Sequence, residues 1–274
     1  MKNKIVKILA ACSLLLPLAT PALAAGASVA LDHSPSNVRD VESLQRGAQL
    51  FANYCLSCHG ASAMRYNRLQ DLGLSEEQIR TNLMFASEKV GEPMRVAMQA
   101  KDGKVWFGAT PPDLSLIARS RGADWLYTYL RSFYRDPSRP TGWNNTVFDK
   151  VGMPHVLWQL QGDLELKVLD GKVEAKGPVV RSWETVEHVN GKEKVSTHQL
   201  VLTRAGELTR LTDGKANTFD YDNKVADLTN YIVWMGEPAQ VTRERIGYGV
   251  LLFLIFLLVP MAYLLKKEYW RDIH

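Results

Sequence analysis

Cys55-Leu56-Ser57-Cys58-His59 constrains this chain more than any other stretch. Two thiols three positions apart, followed directly by an imidazole, form the pattern of a c-type haem attachment site. Each part has a chemical reason. The thiols add across the two vinyl groups of a porphyrin, so they must lie about one helical turn apart. The next residue then falls under the ring, where His59 can offer a nitrogen to the iron.

Two rival readings use the same residues. Cys-x-x-Cys alone can be a thioredoxin-like redox pair. That motif opens a helix after a strand, whereas residues 41–54 read as a helix. A zinc half-site needs two more ligands. The remaining cysteine, Cys12, lies in a segment expected to be cleaved off.

Both ends of the chain are apolar. Residues 1–24 read as a secretory signal: Lys2, Lys4 and Lys7 are basic, Ile8 to Leu18 is a short apolar run, and Ala22-Leu23-Ala24 is a small-x-small cleavage site. A lipoprotein signal is the alternative, with Leu9-Ala10-Ala11-Cys12 placing a lipidated cysteine at 12. Export suits a c-type haem, which bacteria attach outside the cytoplasm. At the other end, Ile246 to Leu265 carries no charge. That length can cross ~30 Å of hydrocarbon as a helix, and Pro260 is tolerable there. Lys266, Lys267 and Arg271 follow it, so the positive-inside rule puts the tail 266–274 in the cytoplasm; Arg243 and Arg245 on the other flank weaken that bias. The formal net charge of +4 collects at these two ends. The stretch 25–245, expected to be the periplasmic domain, is near neutral, so charge makes no case for a nucleic-acid surface.

Between the ends the pattern is mostly helical. Val41, Leu44, Ala48 and Phe51 form a stripe behind Asp40 as N-cap. Phe51 and Tyr54 read as plain core. Ser75 and Gln78 form a capping box for a helix over 75–84, and Pro93 can start another. Met84, Met94 and Met98 fall in these stretches as gap-fillers. The run Trp106 to Ser115 holds Pro111 and Pro112, which force an extended path suited to lie along a flat ring. Arg119 and Arg121 follow, and either can be a solvated cation or a partner for a haem propionate. Residues 124–134 form a helix with Trp125, Leu126, Tyr129, Leu130 and Phe133 on its apolar side.

A low-spin electron-transfer haem needs a sixth ligand, and methionine raises its potential. Met153 sits in the Gly/Pro-bounded loop Gly152-Met153-Pro154, while Met64 follows His59 too closely. His155 is the rival ligand. Residues 162–215 alternate apolar and polar groups between turn signals at Asp170-Gly171, Asn190-Gly191 and Asp213-Gly214, which reads as about two β-hairpins with His188 and His198 on exposed strands. Helix returns over 223–235, with Asp222 as its cap and Val225, Leu228, Ile232 and Met235 on one face expected to pack on the first helix.

Four motifs in order give the chain its likeness: Cys55-Leu56-Ser57-Cys58-His59; Pro111-Pro112-Asp113-Leu114-Ser115 with Arg119 and Arg121; Gly152-Met153-Pro154; and Trp234-Met235-Gly236-Glu237-Pro238 before a C-terminal anchor. With them the chain resembles the cytochrome c1 family, the haem subunit of the bc1 complex. The resemblance implies a mainly α, class I c-type cytochrome fold with a β-hairpin insertion over 162–215 and one C-terminal transmembrane helix. It implies haem c held by Cys55 and Cys58, with His59 and Met153 as axial ligands. Pro112 would lie beside the haem and Arg121 would pair with a propionate. Trp125 stands where the family often has tyrosine. The implied partners are a cytochrome b subunit, a Rieske iron–sulfur protein that donates the electron and a soluble cytochrome c that removes it, in a dimeric complex in the inner membrane. A free-standing anchored cytochrome and a membrane-tethered thiol–disulfide reductase are the competing functions.

Overall fold

The computed structural model describes residues 30–171, 177–189, 192–269 and 271. The expected signal segment and Cys12 lie outside them, as do Asn190-Gly191, Trp270 and residues 272–274. All described residues except Ala30 belong to one unit, Leu31–His274.

Helix α1 (Val41–Leu50) starts as the sequence predicts, with Asp40 Oδ1 accepting from the Ser43 N–H at 3.0 Å. This satisfies a donor that the first helical turn leaves free. The helix then widens into a π turn, Phe51–Cys55, where the Leu56 N–H reaches back to the Phe51 carbonyl at 3.1 Å. Strand β1 (Ala61–Arg65) pairs antiparallel with β2 (Pro93–Met94). Between them lie a 3-10 turn (Tyr66–Leu72) and α2 (Glu76–Asn82). Both bonds of the expected capping box are made: Gln78 N–H to Ser75 Oγ at 3.2 Å, and Ser75 N–H to Gln78 Oε1 at 2.8 Å.

Pro93 does not start a helix. It lies in β2, where Met94 pairs with Ala61 and is 2% exposed. A two-stranded ladder tolerates the missing N–H of proline. The helix of this region is α3 (Ala100–Phe107), so Trp106 and Phe107 are not part of an extended run. Gly108, with φ of 78°, ends α3 in the left-handed conformation that suits a C-terminal cap.

Helices α4 (Ile117–Arg121) and α5 (Ala123–Arg131) follow, then the antiparallel pair β3 (Phe133–Arg135) and β4 (Trp143–Asn145), and the short α6 (Trp158–Gln161). Phe133, expected on a helix, is in β3. The next region opens with a three-stranded antiparallel sheet, β5 (Gly162–Asp170), β6 (Val179–Val189) and β7 (Lys192–Ala205), in the order β5-β7-β6. Leu164, Leu200 and Leu202 fill its buried side. A second, short pair follows, β8 (Arg210–Thr212) with β9 (Lys215–Asn217). The region therefore holds two consecutive antiparallel strand pairs, β6 with β7 and β8 with β9, and one further strand, β5. The turn residues of the second pair, Asp213 and Gly214, both have positive φ (52° and 75°), as a tight Asp-Gly hairpin turn requires. His188 is exposed, but His198 is half-buried and stacks on Trp183 with ring centroids 5.3 Å apart.

Helix α7 (Phe219–Gly236) packs across α1 as expected. The crossing runs through Gly47, where an added Cβ would stand 2.1 Å from the Asp227 carbonyl oxygen. Arg46 seals it with two bonds to the Asp227 carboxylate, 2.6 and 2.9 Å. Leu44, Phe51, Leu228 and Tyr231 fill the crossing at 1% exposure each. Asp222 is not the cap of α7. It lies inside the first turn and binds Arg131 at 2.6 and 3.0 Å. Last come α8 (Gln240–Phe253), a π turn (Leu254–Leu258) and α9 (Val259–Glu268), continuous as one 29-residue helix with an apolar window none of which is buried. At 1.5 Å per residue it is about 43 Å long, more than the ~30 Å of a bilayer core.

Candidate cofactor site

A cavity of about 320 Å³ opens between the end of the π turn, the segment around Pro112, α5, the Met153 loop and α7. Its first wall is the cysteine motif. The N–H groups of Cys58 and His59 both bond the Cys55 carbonyl, at 3.0 and 2.8 Å, so the chain turns once and brings Cys55, Cys58 and His59 to the cavity together. Tyr54, expected as plain core, lines it too. Burial, with the neighbouring Cys58, pushes the Cys55 thiol up to about 12. An attacking redox cysteine needs the opposite shift, which weighs against the thiol–disulfide reading.

His59 is fixed by the Pro112 carbonyl, 2.7 Å from its Nδ1. A carbonyl can only accept, so Nδ1 carries the proton and Nε2 keeps its lone pair. Burial holds the imidazole below its usual range, and outweighs the opposing pull of the Pro112 carbonyl and of Asp113. A neutral ring with one nitrogen anchored is the form that binds a metal.

The rest of the Pro-Pro-Asp-Leu-Ser motif holds that carbonyl in place. The Leu114 N–H bonds Gly60 O at 2.8 Å. Asp113 accepts from the N–H of Ser62 and of Ser115, each at 2.8 Å, and Ser115 Oγ accepts from the Ala63 N–H at 3.0 Å. Burial opposes the charged form of Asp113, but the bonds from Ser115 and Ser62 win and hold its carboxyl below the usual carboxylate range.

Met153 reaches the cavity from a loop docked on the end of α3. Gly152 makes the docking possible: a Cβ there would lie 2.5 Å from the Phe107 carbonyl oxygen. Of the described methionines, Met153 alone lines the cavity. Met94 is buried elsewhere, under the Tyr231 hydroxyl at 3.6 Å. The rival His155 does not line the cavity. It is 2% exposed, stacked on Phe133 at 5.0 Å and set edge-on to Trp143 at 5.1 Å. Burial pushes it down to about 3.

Arg121 is the only charged side chain of an otherwise largely apolar lining, and among the described residues it makes no ion pair. Its guanidinium lies over the Trp125 ring, 5.2 Å from the centroid. Arg119 turns away instead and pairs with Glu237 at 2.7 Å. Trp125 stacks on Tyr129 with centroids 4.8 Å apart and planes 10° apart, and the Tyr129 hydroxyl donates to Met153 Sδ at 3.4 Å. Sequence reasoning assigned Tyr129 only to an apolar face. Trp125 and Tyr129 lie four residues apart on α5, which stacks their side chains along one helical side, while Arg121 comes from the end of α4.

Residues 33–273 match the sequence model of the Cytochrome C1 family. The chain belongs to the cytochrome c1 family. It is similar to cytochrome c1 of Allochromatium vinosum, 45% identical over 97% of this chain and 98% of that protein. It is also similar to the ammonia monooxygenase gamma subunit of Nitrosomonas europaea, 46% identical over 99% of this chain and 100% of that protein. Cytochrome c1 of Rhodospirillum rubrum is 28% identical over 85% of this chain and 83% of its own length. Cytochrome c1 proteins are membrane-anchored electron-transfer subunits of the bc1 complex and carry one covalently attached haem c. The cavity fits that group. It offers two thiols one turn apart, an imidazole with a free lone pair, a thioether, apolar walls and, at the side, a cation without an ion-pair partner among the described residues.

Proposed function

We propose that Cys55 and Cys58 hold haem c through two thioether bonds, that His59 Nε2 and Met153 Sδ are its axial ligands, and that Arg121 meets a propionate. The observation that carries this reading is the meeting of those residues, from three separate segments, at one apolar cavity. The bound haem supplies a one-electron carrier. The chain's own work is to fix the ligands, exclude water and set the potential. Pro112 orients His59, and the docked loop presents Met153. Arg121 and Trp125 form one side of the lining, with the arginine free to neutralise an anionic edge. A thioether ligand in an apolar pocket favours the reduced iron, which suits an acceptor of high-potential electrons.

In the bc1 complex this haem would take its electron from a Rieske iron–sulfur protein and pass it to a soluble cytochrome c, with quinol oxidised in the cytochrome b subunit. Residues 25–245 would form the haem domain, a class I cytochrome fold on the periplasmic side. Residues 246–265 would anchor it in membrane lipid, and residues 266–274 would lie in the cytoplasm, in a dimeric complex. The family membership and the long apolar helix support this layout. The name of the Nitrosomonas relative offers a second reading, an oxygenase subunit.

Two experiments decide. A haem-stained denaturing gel should show covalent haem on the chain, lost when Cys55 and Cys58 are both replaced by Ala. A wild-type chain that does not stain ends the cytochrome reading. Gentle detergent extraction should bring down a multi-span b-type cytochrome and a Rieske protein with it. Recovery alone favours a free-standing cytochrome, and recovery with oxygenase subunits favours the second reading.

A further inference from the structure

The loop that carries Met153 starts at two buried asparagines at the end of β4, Asn144 and Asn145, 4% and 1% exposed. An amide side chain both donates and accepts, and each of these uses both ends. Asn145 Nδ2 donates to the Tyr129 carbonyl, in the last turn of α5, at 2.8 Å. Its Oδ1 accepts from the N–H of Val147 at 2.8 Å and of Phe148 at 3.3 Å. One side chain therefore ties a wall helix of the cavity to the loop. Asn144 closes that loop. Its Oδ1 accepts from the Lys150 N–H at 2.9 Å, and its Nδ2 donates to Asp136 at 3.0 Å and to Asp149 at 2.9 Å. Arg139 Nη2 holds the Lys150 carbonyl at 2.9 Å. Lys150 has a φ of 58°, a left-handed conformation that a residue other than glycine keeps where its surroundings hold it. Val151, buried with Phe133 and Trp143, comes next, then Gly152 and Met153.

We propose that Asn144 and Asn145 are positioning residues for Met153: they keep its loop closed on α5, so that the thioether holds the sixth site of the iron against outside ligands. The proposal rests on Met153 being an axial ligand. A thioether is a neutral donor, and an outside imidazole competes with it for the iron. The sulfur can withdraw only as far as its loop allows. With the loop pinned by both amides the open state is rare, and an outside ligand binds with an affinity reduced by that rarity.

The test titrates the intact, haem-loaded ferric chain with imidazole and follows the loss of the sulfur-to-iron charge-transfer band. Asn145→Ala removes the tie and leaves the two loop N–H groups without their acceptor. Its imidazole affinity should rise at least about tenfold, the scale of one buried hydrogen bond lost. Leu200→Ala hollows the separate core of the β-sheet, so it lowers stability alone and should keep the wild-type affinity. A wild-type affinity in Asn145→Ala, or an equal rise in Leu200→Ala, overturns the proposal. Met153→Leu is run in parallel. If it abolishes the band, the ligand assignment stands whatever Asn145→Ala does. If the band stays, the assignment falls and the proposal with it. Should Asn145→Ala fail to load haem, amide hydrogen exchange is read in the wild-type chain with and without saturating imidazole. The Val147, Phe148 and Lys150 N–H groups should exchange faster once imidazole has displaced the sulfur; unchanged exchange overturns the proposal.

Discussion

His59 has one nitrogen to give because Pro112 holds the other, and Pro112 is held through Asp113. The Asp113 carboxyl titrates below its ordinary range in the folded chain. A depressed folded pKa means stability present above the unfolded value of about 3.9 and lost as pH falls through the folded one. Denaturant melts taken from about pH 5 downward should therefore lose stability in the wild type. Asp113→Asn should be less stable at neutral pH and flatter over that acid range; parallel curves would deny the clamp. His155 makes a different case. It is buried in an aromatic cluster away from the cavity. His155→Phe should leave the haem's ligand spectrum as it is in the wild type. A changed sixth ligand in that variant would overturn the assignment to Met153. At this scale the meeting of Cys55, Cys58 and His59 at one cavity was legible from the fixed spacing of their motif, and that of Met153 from its Gly/Pro-bounded loop. Tyr129 was not, since one hydroxyl on an apolar face has no sequence signature until its partner sulfur is in place.

At the scale of elements, the crossing of α1 and α7 is set by a missing side chain. Gly47→Ala puts a methyl 2.1 Å from the Asp227 carbonyl oxygen, which no rotamer can relieve. The variant should lose at least about 2 kcal/mol in a urea melt, the cost of overpacking a tight contact. A loss below about 0.5 kcal/mol would mean that the helices separate freely. The stripes of both helices could be read from their apolar spacing, and so could the Ser75 capping box. Pro93 was misread because proline suits a first helical turn and an edge ladder equally; Met94, buried opposite Ala61, decides for the ladder. The π turn before Cys55 left no local trace, since its residues are ordinary helix formers. The sheet β5-β7-β6 was half legible. Its alternation was visible, but strand order depends on pairing between distant segments.

Across the whole chain, Arg131 ties together parts that share no sequence neighbourhood. From α5 it bonds Asp222 of α7 at 2.6 Å and Asp32 of the N-terminal segment at 2.8 Å, and Arg181 of β6 reaches the same Asp32 at 3.1 Å. Its side chain is 13% exposed, and removing it leaves Asp222, itself 22% exposed, without its cation, while Asp32 keeps Arg181. Arg131→Leu should cost about 3 kcal/mol in a urea melt; a loss under about 1 kcal/mol would mark the network as surface decoration. Everything this network and the helix crossing hold in place converges on one cavity with an imidazole and a thioether at its walls. Near-infrared magnetic circular dichroism of the ferric chain reads that pair directly. A histidine–methionine signature that disappears in Met153→Leu is the expected result. A two-imidazole signature, or that of an iron lacking a sixth protein ligand, in the wild type would contradict the account.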